Sequence, residues 1–334
     1  MINKSFYSIL LLSSFMMMLS CGDYSRVVKG DDYNRKLQKA EELYDNESYN
    51  KALVLYEQVY QRHPRDDKGE LAYYKLGKTY YKMKDFYMSS YYFSHFVGRF
   101  PRSKHVEEST FYSAMSSFHN SPDPALDQED THTAIRELQY FISNFPNSRR
   151  VDSCNILMDE LRAKLETKAL MAVKMYDRME KYAAAVTSSE SFLEDYPRSS
   201  SKLEVVMIML TNASKLAEKS VFSKRQERLE NVVAIYDKYR EELQLSKHLS
   251  KAITIAENAR QDLEEVDEIV TFERIQELYS LSQQSSKAKK IEYLEETLKL
   301  YYTFAQRYPN SDYLKRAEEI YNRAERERQN TYSY

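Results

Sequence analysis

The densest group of side chains that could carry out chemistry is a run of carboxylates between two histidines. The run comprises His119, Asp123, Asp127, Glu129, Asp130 and His132. Carboxylate oxygens at this density are ligands that calcium prefers. An EF-hand loop, however, places its ligands at alternate positions around a central glycine, and this run has neither feature. We therefore predict a solvated acidic loop whose aspartates cap the next helix, and no metal site.

No combination of residues indicates catalysis. The six histidines are scattered, and the sequence has no His-Glu-x-x-His, Cys-x-x-Cys or Gly-x-Ser-x-Gly motif. The five glycines are too dispersed to build a phosphate-binding loop. Charged residues make up 30% of the chain, with both signs interspersed and a formal net charge of -2, which argues against nucleic-acid binding. The sequence predicts a protein that is not an enzyme and needs no cofactor.

Cys21 is the one residue whose context predicts covalent chemistry. It follows Lys4, an apolar stretch of about 14 residues and the small residue Ser20, an order typical of a secretory signal. The segment resembles a bacterial lipobox, which predicts a lipoprotein signal peptide over residues 1–20 and a lipid on Cys21. An ordinary cleaved signal with an incidental cysteine is the alternative. Cys154 is then left without a partner, and we predict a buried thiol and no disulfide.

A six-residue phrase punctuates the rest of the chain. It reads Phe-x-x-x-(Phe/Tyr)-Pro, followed by a basic or amide residue and then serine, and we call it the aromatic-proline phrase. Its four full copies carry the prolines Pro101, Pro146, Pro197 and Pro309, and a looser first copy contains His63-Pro64. Because proline cannot continue a helix, each copy predicts a helix end.

The residues before the second copy match the tetratricopeptide pattern, a helix-turn-helix repeat of about 34 residues. Tyr73, Gly77, Phe93 and Phe96 fall at its positions for large and small residues. Such repeats cannot bury their apolar faces alone, and they stack. We predict an all-α protein, an α-solenoid of about five to six tetratricopeptide-like helix pairs.

Proline spacing and composition divide the mature chain into segments. The fourth repeat carries extra residues, which predict one long first helix over residues 151–181. The predicted segments are a lipidated N-terminus and tether over 21–35, the repeat array over 36–245, a helical insertion with a polar loop (282–290) over 246–290, a C-terminal helix pair over 291–328 and a tail over 329–334.

Several of these features together resemble the BamD family, in a version of the Bacteroidota type. They are the lipobox, the opening Cys21-Gly22-Asp23-Tyr24, the aromatic-proline phrases and the loop from Ser121-Pro122 to Thr131. The resemblance implies a non-enzymatic lipoprotein, anchored by lipid in the cell outer membrane and facing the periplasm. It further implies docking on a BamA-like outer-membrane assembly protein and reception of unfolded outer-membrane β-barrel precursors.

Two sets of residues are candidates for these contacts. Tyrosines on first helices of the repeats would line a groove that binds precursors, and we name Tyr44, Tyr74, Tyr81 and Tyr112. A basic stretch would contact an acidic partner surface, and it comprises Lys219, Lys224, Arg225 and Arg228. The alternatives are that the tyrosines pack between helices and that the basic stretch is a solvated helix start.

Two other functions fit the same fold. One is a different periplasmic tetratricopeptide scaffold that coordinates cell-wall or envelope proteins. The other is a surface lipoprotein that captures glycan. The glycan function is disfavoured because helical proteins of that class are rich in tryptophan, and tryptophan is absent here.

Overall fold

The computed structural model describes residues 22–332, and these residues form α-helices and no β-strand. The predicted all-α class is confirmed. The predicted signal peptide over 1–20, the predicted lipid site Cys21 and the last two residues of the predicted tail lie outside the described residues.

A helical segment over residues 22–29 precedes the repeats. The helices that follow are α1 (Tyr33–Asp45), α2 (Tyr49–Arg62), α3 (Asp67–Lys82), α4 (Phe86–Arg99), α5 (Val106–Asn120), α6 (Glu129–Asn144), α7 (Val151–Arg178), α8 (Tyr182–Asp195), α9 (Lys202–Glu218), α10 (Phe222–Leu243), α11 (Leu249–Gln283), α12 (Lys287–Arg307) and α13 (Leu314–Tyr332).

The chain divides into two compact units, and the boundary between Lys168 and Ala169 falls within α7. Within each unit, consecutive helices pack on one another. First helices of successive pairs also touch, α1 with α3 and α3 with α5 in the first unit, and α9 with α11 and α11 with α13 in the second. Helix pairs that stack in this way are the arrangement of an α-solenoid, as predicted.

The aromatic-proline phrase ends the second helix of its pair. In the second copy, α4 stops at Arg99, and the backbone N–H of Phe100 donates to the Phe96 carbonyl at 2.8 Å. The Ser103 N–H then donates to the Phe100 carbonyl, and Ser103 Oγ accepts from the His105 N–H at 3.0 Å. The first phenylalanine of every full copy is buried, with Phe96, Phe141 and Phe304 at 0% and Phe192 at 1% exposure.

Two boundaries differ from those predicted. The polar segment predicted as a loop over 282–290 is helical except at residues 284–286, because its lysines and alanine favour a helix and Ser286 supplies the N-cap position of α12. Residues 246–290 contain one long helix, α11. Helix α13 continues through residue 332 of the predicted tail, where Thr331 Oγ1 donates to the Glu327 carbonyl at 2.7 Å. The long helix expected from 151 is confirmed as α7.

The residues that follow the predicted lipid site pack on the first repeat. Val27 is 8% exposed within the same apolar cluster as α2 and α3. Lys36 of α1 is 3% exposed, and its Nζ donates to the Val28 carbonyl at 2.7 Å and to Gln58 Oε1 at 2.5 Å. At the start of the segment, Lys39 lies 3.2 Å from Asp23. The predicted tether is therefore held against the array from residue 22 onward.

Lys36→Met tests this attachment. Methionine keeps the buried stem but leaves the Val28 carbonyl and Gln58 without their donor, so we expect the free energy of unfolding to fall by about 1–3 kcal/mol. Trypsin should also cleave faster at the exposed Arg26 and Lys29. Urea unfolding and peptide mapping measure both effects. The exposed Lys82→Met should change stability by less than about 0.5 kcal/mol. An unchanged cleavage rate in Lys36→Met would contradict the attachment.

Gly69 is required where the first phrase meets α3. A Cβ built on Gly69 would lie 1.5 Å from the His63 carbonyl oxygen, whereas a Cβ on Gly98 of α4 meets nothing within 4 Å. Asp66 fixes the turn, because its Oδ1 accepts from the backbone N–H groups of Lys68 and Gly69 at 3.1 Å. The close approach at Gly69 is therefore between the backbone of α3 and the backbone at His63, and the turn fixed by Asp66 keeps the two from moving apart.

Gly69→Ala should destabilise the protein by about 3 kcal/mol or more, since the clash is with backbone. Gly98→Ala is the matched helical control, and it should be neutral or stabilising by about 0.5–1 kcal/mol because alanine costs less backbone entropy. Thermal unfolding followed by circular dichroism compares the two. Equal melting temperatures would show that the loop adapts and that Gly69 is dispensable.

Candidate protein-binding surface

The first helices α1, α3 and α5 of the first unit lie side by side and share a polar, aromatic face. Its residues recur at helical spacing of three or four, which places them on one side of each helix. We call it the first-helix face, and it consists of Glu41, Tyr44, Lys75, Lys78, Tyr81, Glu108 and Tyr112.

Lys75 joins α3 to α1. Its Nζ lies 2.5 Å from Glu41 Oε2 and 5.0 Å from the centre of the Tyr44 ring. The Tyr56 hydroxyl donates to Glu41 Oε1 at 2.9 Å, so both carboxylate oxygens are occupied. Burial is the main reason that the pKa of Tyr44 rises to about 12. The Tyr44 ring is thus an uncharged, half-buried platform with a cation beside it.

Lys78 makes the equivalent link between α3 and α5. Its Nζ lies 3.0 Å from Glu108 Oε1 and 4.2 Å from the centre of the Tyr112 ring, a cation–π distance. Burial alone would raise the pKa of Glu108, but hydrogen bonds from Lys78 and Tyr74 outweigh it and hold this pKa below the usual 4.5. Lys78 therefore stays paired across the whole neutral range.

Tyr81 and Tyr112 form the aromatic centre of the face. Their rings meet edge to face with 4.8 Å between centroids, and Tyr112 stacks on the buried Phe93 at 5.4 Å. Beside this group, the His119 ring stacks on the Phe86 ring with 4.4 Å between centroids. Both tyrosines are partly exposed, so they can contact a ligand without leaving their packing partners.

Tyr74, the fourth predicted groove residue, is not on the open surface. It is 6% exposed, and its ring stacks on His105 at 4.2 Å and packs against Phe93 and Phe96. Burial raises the pKa of Tyr74 and its hydroxyl binds Glu108. Because Tyr74 stands one residue before Lys75, its side chain points into the layer between the helices. Tyr74 therefore holds Glu108 by a hydrogen bond and has no ring face available to a ligand.

The predicted basic stretch runs from the C-cap of α9 into the first turns of α10 in the second unit, and three of its four cations bind groups within the unit. Arg225 pairs with Asp262 at 3.1 Å, and Arg228 donates to the Leu216 carbonyl and to Ser220. Lys219 donates to the Tyr182 hydroxyl at 2.9 Å, a bond that raises the pKa of Lys219. Lys224 is exposed. Docking by this stretch stays a prediction, for which Lys219 and Lys224 are the accessible cations.

The acidic loop is organised by its own backbone. Asp123 Oδ1 accepts from the Ala125 N–H and Asp127 Oδ1 from the Glu129 N–H, both at 2.9 Å. The Tyr87 hydroxyl donates to Asp130 at 2.7 Å. Asp127 therefore binds the first N–H of α6 and Asp123 closes a turn within the loop, whereas the N-cap residue of α6 is Gln128, whose side chain makes no capping bond. Among residues 22–332, no three carboxylate, histidine or cysteine side chains are placed to hold a metal ion.

Cys154 lies at 0% exposure in the apolar cluster of α5, α6 and α7, and burial raises the pKa of its thiol. The prediction of a buried thiol is confirmed. Over the part of the chain that the structure describes, none of the helices is both long and apolar enough to cross a membrane.

Sequence reasoning missed the charged half of the first-helix face. Its four charged residues carry a spacing signal: Glu41, Lys78 and Glu108 each stand three or four residues from a predicted tyrosine on their own helix, and Lys75 stands three residues before Lys78. The spacing of residues along one helix can be seen in the sequence. Pairing between Lys78 and Glu108 depends on how successive repeats stack, and spacing alone does not give it.

The stacked helix pairs and the first-helix face define a class, the tetratricopeptide-type α-solenoids that present surfaces to other proteins. The chain belongs to the YfiO family of outer membrane lipoproteins, because that family's model matches residues 31–229, more than half of the chain. The outer membrane protein assembly factor BamD of Helicobacter pylori is 26% identical over 152 residues, which cover 44% of this chain and 68% of that protein. The predicted BamD resemblance is confirmed.

One solved structure also aligns along most of the chain. The apo form of RapI covers 90% of this chain and 99% of its own, with 15% sequence identity and a TM-score of 0.27.

Lys78→Gln tests the charge pairing in the first-helix face. Without the ammonium group, burial dominates, and the pKa of Glu108 should rise above its usual value. Carbon-13 NMR titration of the glutamate carboxyls measures the change. Because the folded-state pKa of Glu108 is depressed in the natural chain, its contribution to stability is present above pH 4.5 and is lost as the pH falls further. The stability difference between the two proteins should therefore shrink on acidification. Lys82→Gln should leave the pKa of Glu108 unchanged.

Proposed function

We propose that this chain is a non-enzymatic adaptor, anchored by lipid on the periplasmic side of the outer membrane, that takes part in assembly of outer-membrane proteins. Membership of the YfiO lipoprotein family and the name of the Helicobacter pylori relative support this proposal. The observation that carries it is the first-helix face, a run of half-buried tyrosines whose neighbouring lysines are already neutralised.

The first-helix face suits unfolded β-barrel precursors. Such chains are extended and carry aromatic or aliphatic residues at every second position. These apolar side chains would lie against Tyr44, Tyr81 and Tyr112. Each aromatic contact contributes about 0.5–1.5 kcal/mol beyond area burial. Three contacts give weak, reversible binding, which is what a protein that passes precursors onward requires. Since Lys75 and Lys78 are paired with Glu41 and Glu108, recognition rests on rings more than on net charge.

The second unit would dock on a BamA-like assembly protein. Lys219 at the C-cap of α9 and Lys224 at the start of α10 are exposed and would meet an acidic surface. In the same unit, a cavity of about 490 Å³ opens between α8, α9 and α10, and it is lined by residues of both charges, including Glu194, Lys202 and Lys238. Charges of both signs fix register and partner choice more than affinity.

Affinity purification tests the proposal. The full-length, tagged chain is purified from gently solubilised envelopes, and its partners are quantified by mass spectrometry. We expect a stoichiometric outer-membrane barrel assembly protein and substoichiometric barrel precursors. In a Tyr44→Leu/Tyr81→Leu variant, which keeps apolar bulk but removes two rings, recovery of precursors should fall five- to tenfold while the assembly protein is retained.

Tyr87→Ala is the matched control for that variant, because Tyr87 is 63% exposed on α4, a second helix. Its recovery of precursors should equal that of the natural chain. Cell-wall enzymes in place of a barrel assembly protein would overturn the proposal and favour a scaffold for the cell wall. Undiminished recovery of precursors in the double variant would show that the first-helix face does not bind them.

A further inference from the structure

An opening in the first unit lies between the second helices α4 and α6 and reaches α5. It is a groove of about 330 Å³, and it is lined by Ser94, Val97 and Gly98 of α4, Thr110 and Ser113 of α5, and Glu137 and Tyr140 of α6. We call it the Glu137 groove. No residue of the first-helix face lines it, so a ligand here would not compete directly for Tyr44, Tyr81 or Tyr112.

The Glu137 carboxylate is only half satisfied. Its Oε2 accepts from Ser113 Oγ at 3.1 Å and from Ser117 Oγ at 2.9 Å. Within residues 22–332 no group bonds to Glu137 Oε1. The fully buried side-chain atoms that lack a hydrogen-bond partner in this range are Ser109 Oγ and Arg225 Nε, so Glu137 Oε1 is not buried. Burial raises the pKa of Glu137, and it outweighs the lowering effects of the hydrogen bonds from Ser117 and Ser113 and of the positive charge of Arg136.

Two arginines, Arg136 and Arg99, are next in sequence to residues that line the groove, and both bind other groups. Arg136 donates to Glu129 at 3.2 Å and to Thr133 at 2.8 Å. Arg99 donates to the Tyr60 hydroxyl and lies over the Tyr60 and Tyr73 rings, at 5.6 Å from each centre. Glu137, which lines the groove, therefore keeps one accessible carboxylate oxygen and makes no ion pair with a cation of the described residues.

The geometry points to a lysine side chain of a partner protein as the occupant of the Glu137 groove. Its ammonium group would bind Glu137 Oε1, with the hydroxyls of Ser94 and Ser113 as further acceptors, and its methylene stem would lie against Val97 and Tyr140. Gly98 keeps the mouth open, because it has no side chain there. Arginine fits less well, since its fork prefers both carboxylate oxygens and Oε2 is already taken by two serines.

Zero-length cross-linking tests the inference. Outer membranes that hold the full-length chain are treated with a water-soluble carbodiimide, which activates a carboxyl group so that a touching lysine amine forms an amide. Mass spectrometry of the purified chain should find Glu137 joined to a lysine of another protein. Gly98→Leu fills the mouth of the groove but keeps the carboxylate, and it should lower this adduct at least tenfold. Glu129, exposed on the same helix, should react equally in both proteins.

Two further measurements make the result decisive. Gly98→Leu should melt within a few degrees of the natural chain, since position 98 faces open space. In Glu137→Gln, which keeps acceptors for both serines, the cross-linked partner should be recovered at least fivefold less in purifications without carbodiimide. An unmodified Glu137 beside a modified Glu129, an adduct to this chain's own lysines, or an adduct that survives in Gly98→Leu would each overturn the inference. None of these outcomes alters recovery of barrel precursors, which tests the proposed function separately.

Discussion

The turn built by the aromatic-proline phrase is the constraint on which the rest of the structure depends. In the copy around Pro146, the buried Phe141 anchors the end of α6, and the Phe145 N–H closes the last helical turn at 2.9 Å. The Ser148 N–H then donates to the Phe145 carbonyl, while Ser148 Oγ accepts from the Arg150 N–H that opens α7. One short phrase therefore ends a helix, fixes it to the core and starts the next helix.

In three of the four full copies the same serine also binds the first helix of its own pair. Ser103 Oγ donates to Glu70 of α3 at 2.6 Å, Ser148 Oγ to Glu107 of α5 at 2.7 Å, and Ser311 Oγ to Glu268 of α11 at 2.5 Å. Because the bond joins the end of the second helix to the first helix, it fixes the position at which the following helix begins. Contacts between first helices, and the first-helix face that they create, follow from this repeated geometry.

What could be predicted from the sequence is what a single helix dictates. Proline placed the helix ends, periodicity without proline or glycine gave the long α7, and the tetratricopeptide pattern gave the all-α class. What failed depends on neighbours from other repeats. Tyr74 and Tyr81 look alike in sequence, yet His105 of the next repeat covers one and leaves the other half-open. Lys36 looks like a surface lysine, and only the folded tether at Val28 makes it a buried donor.

The two sides of the first unit neutralise charge differently, and this difference bears on how an adaptor could separate its tasks. On the first-helix face every lysine has its own glutamate, so a ligand meets aromatic rings and no unsatisfied charge, and discrimination among segments is weak. In the Glu137 groove one carboxylate oxygen lacks a partner, so a ligand without an ammonium group gains nothing there and leaves the oxygen unpaired. Tolerance on one side and selectivity on the other follow from a single distinction, whether the chain completes its own ion pairs.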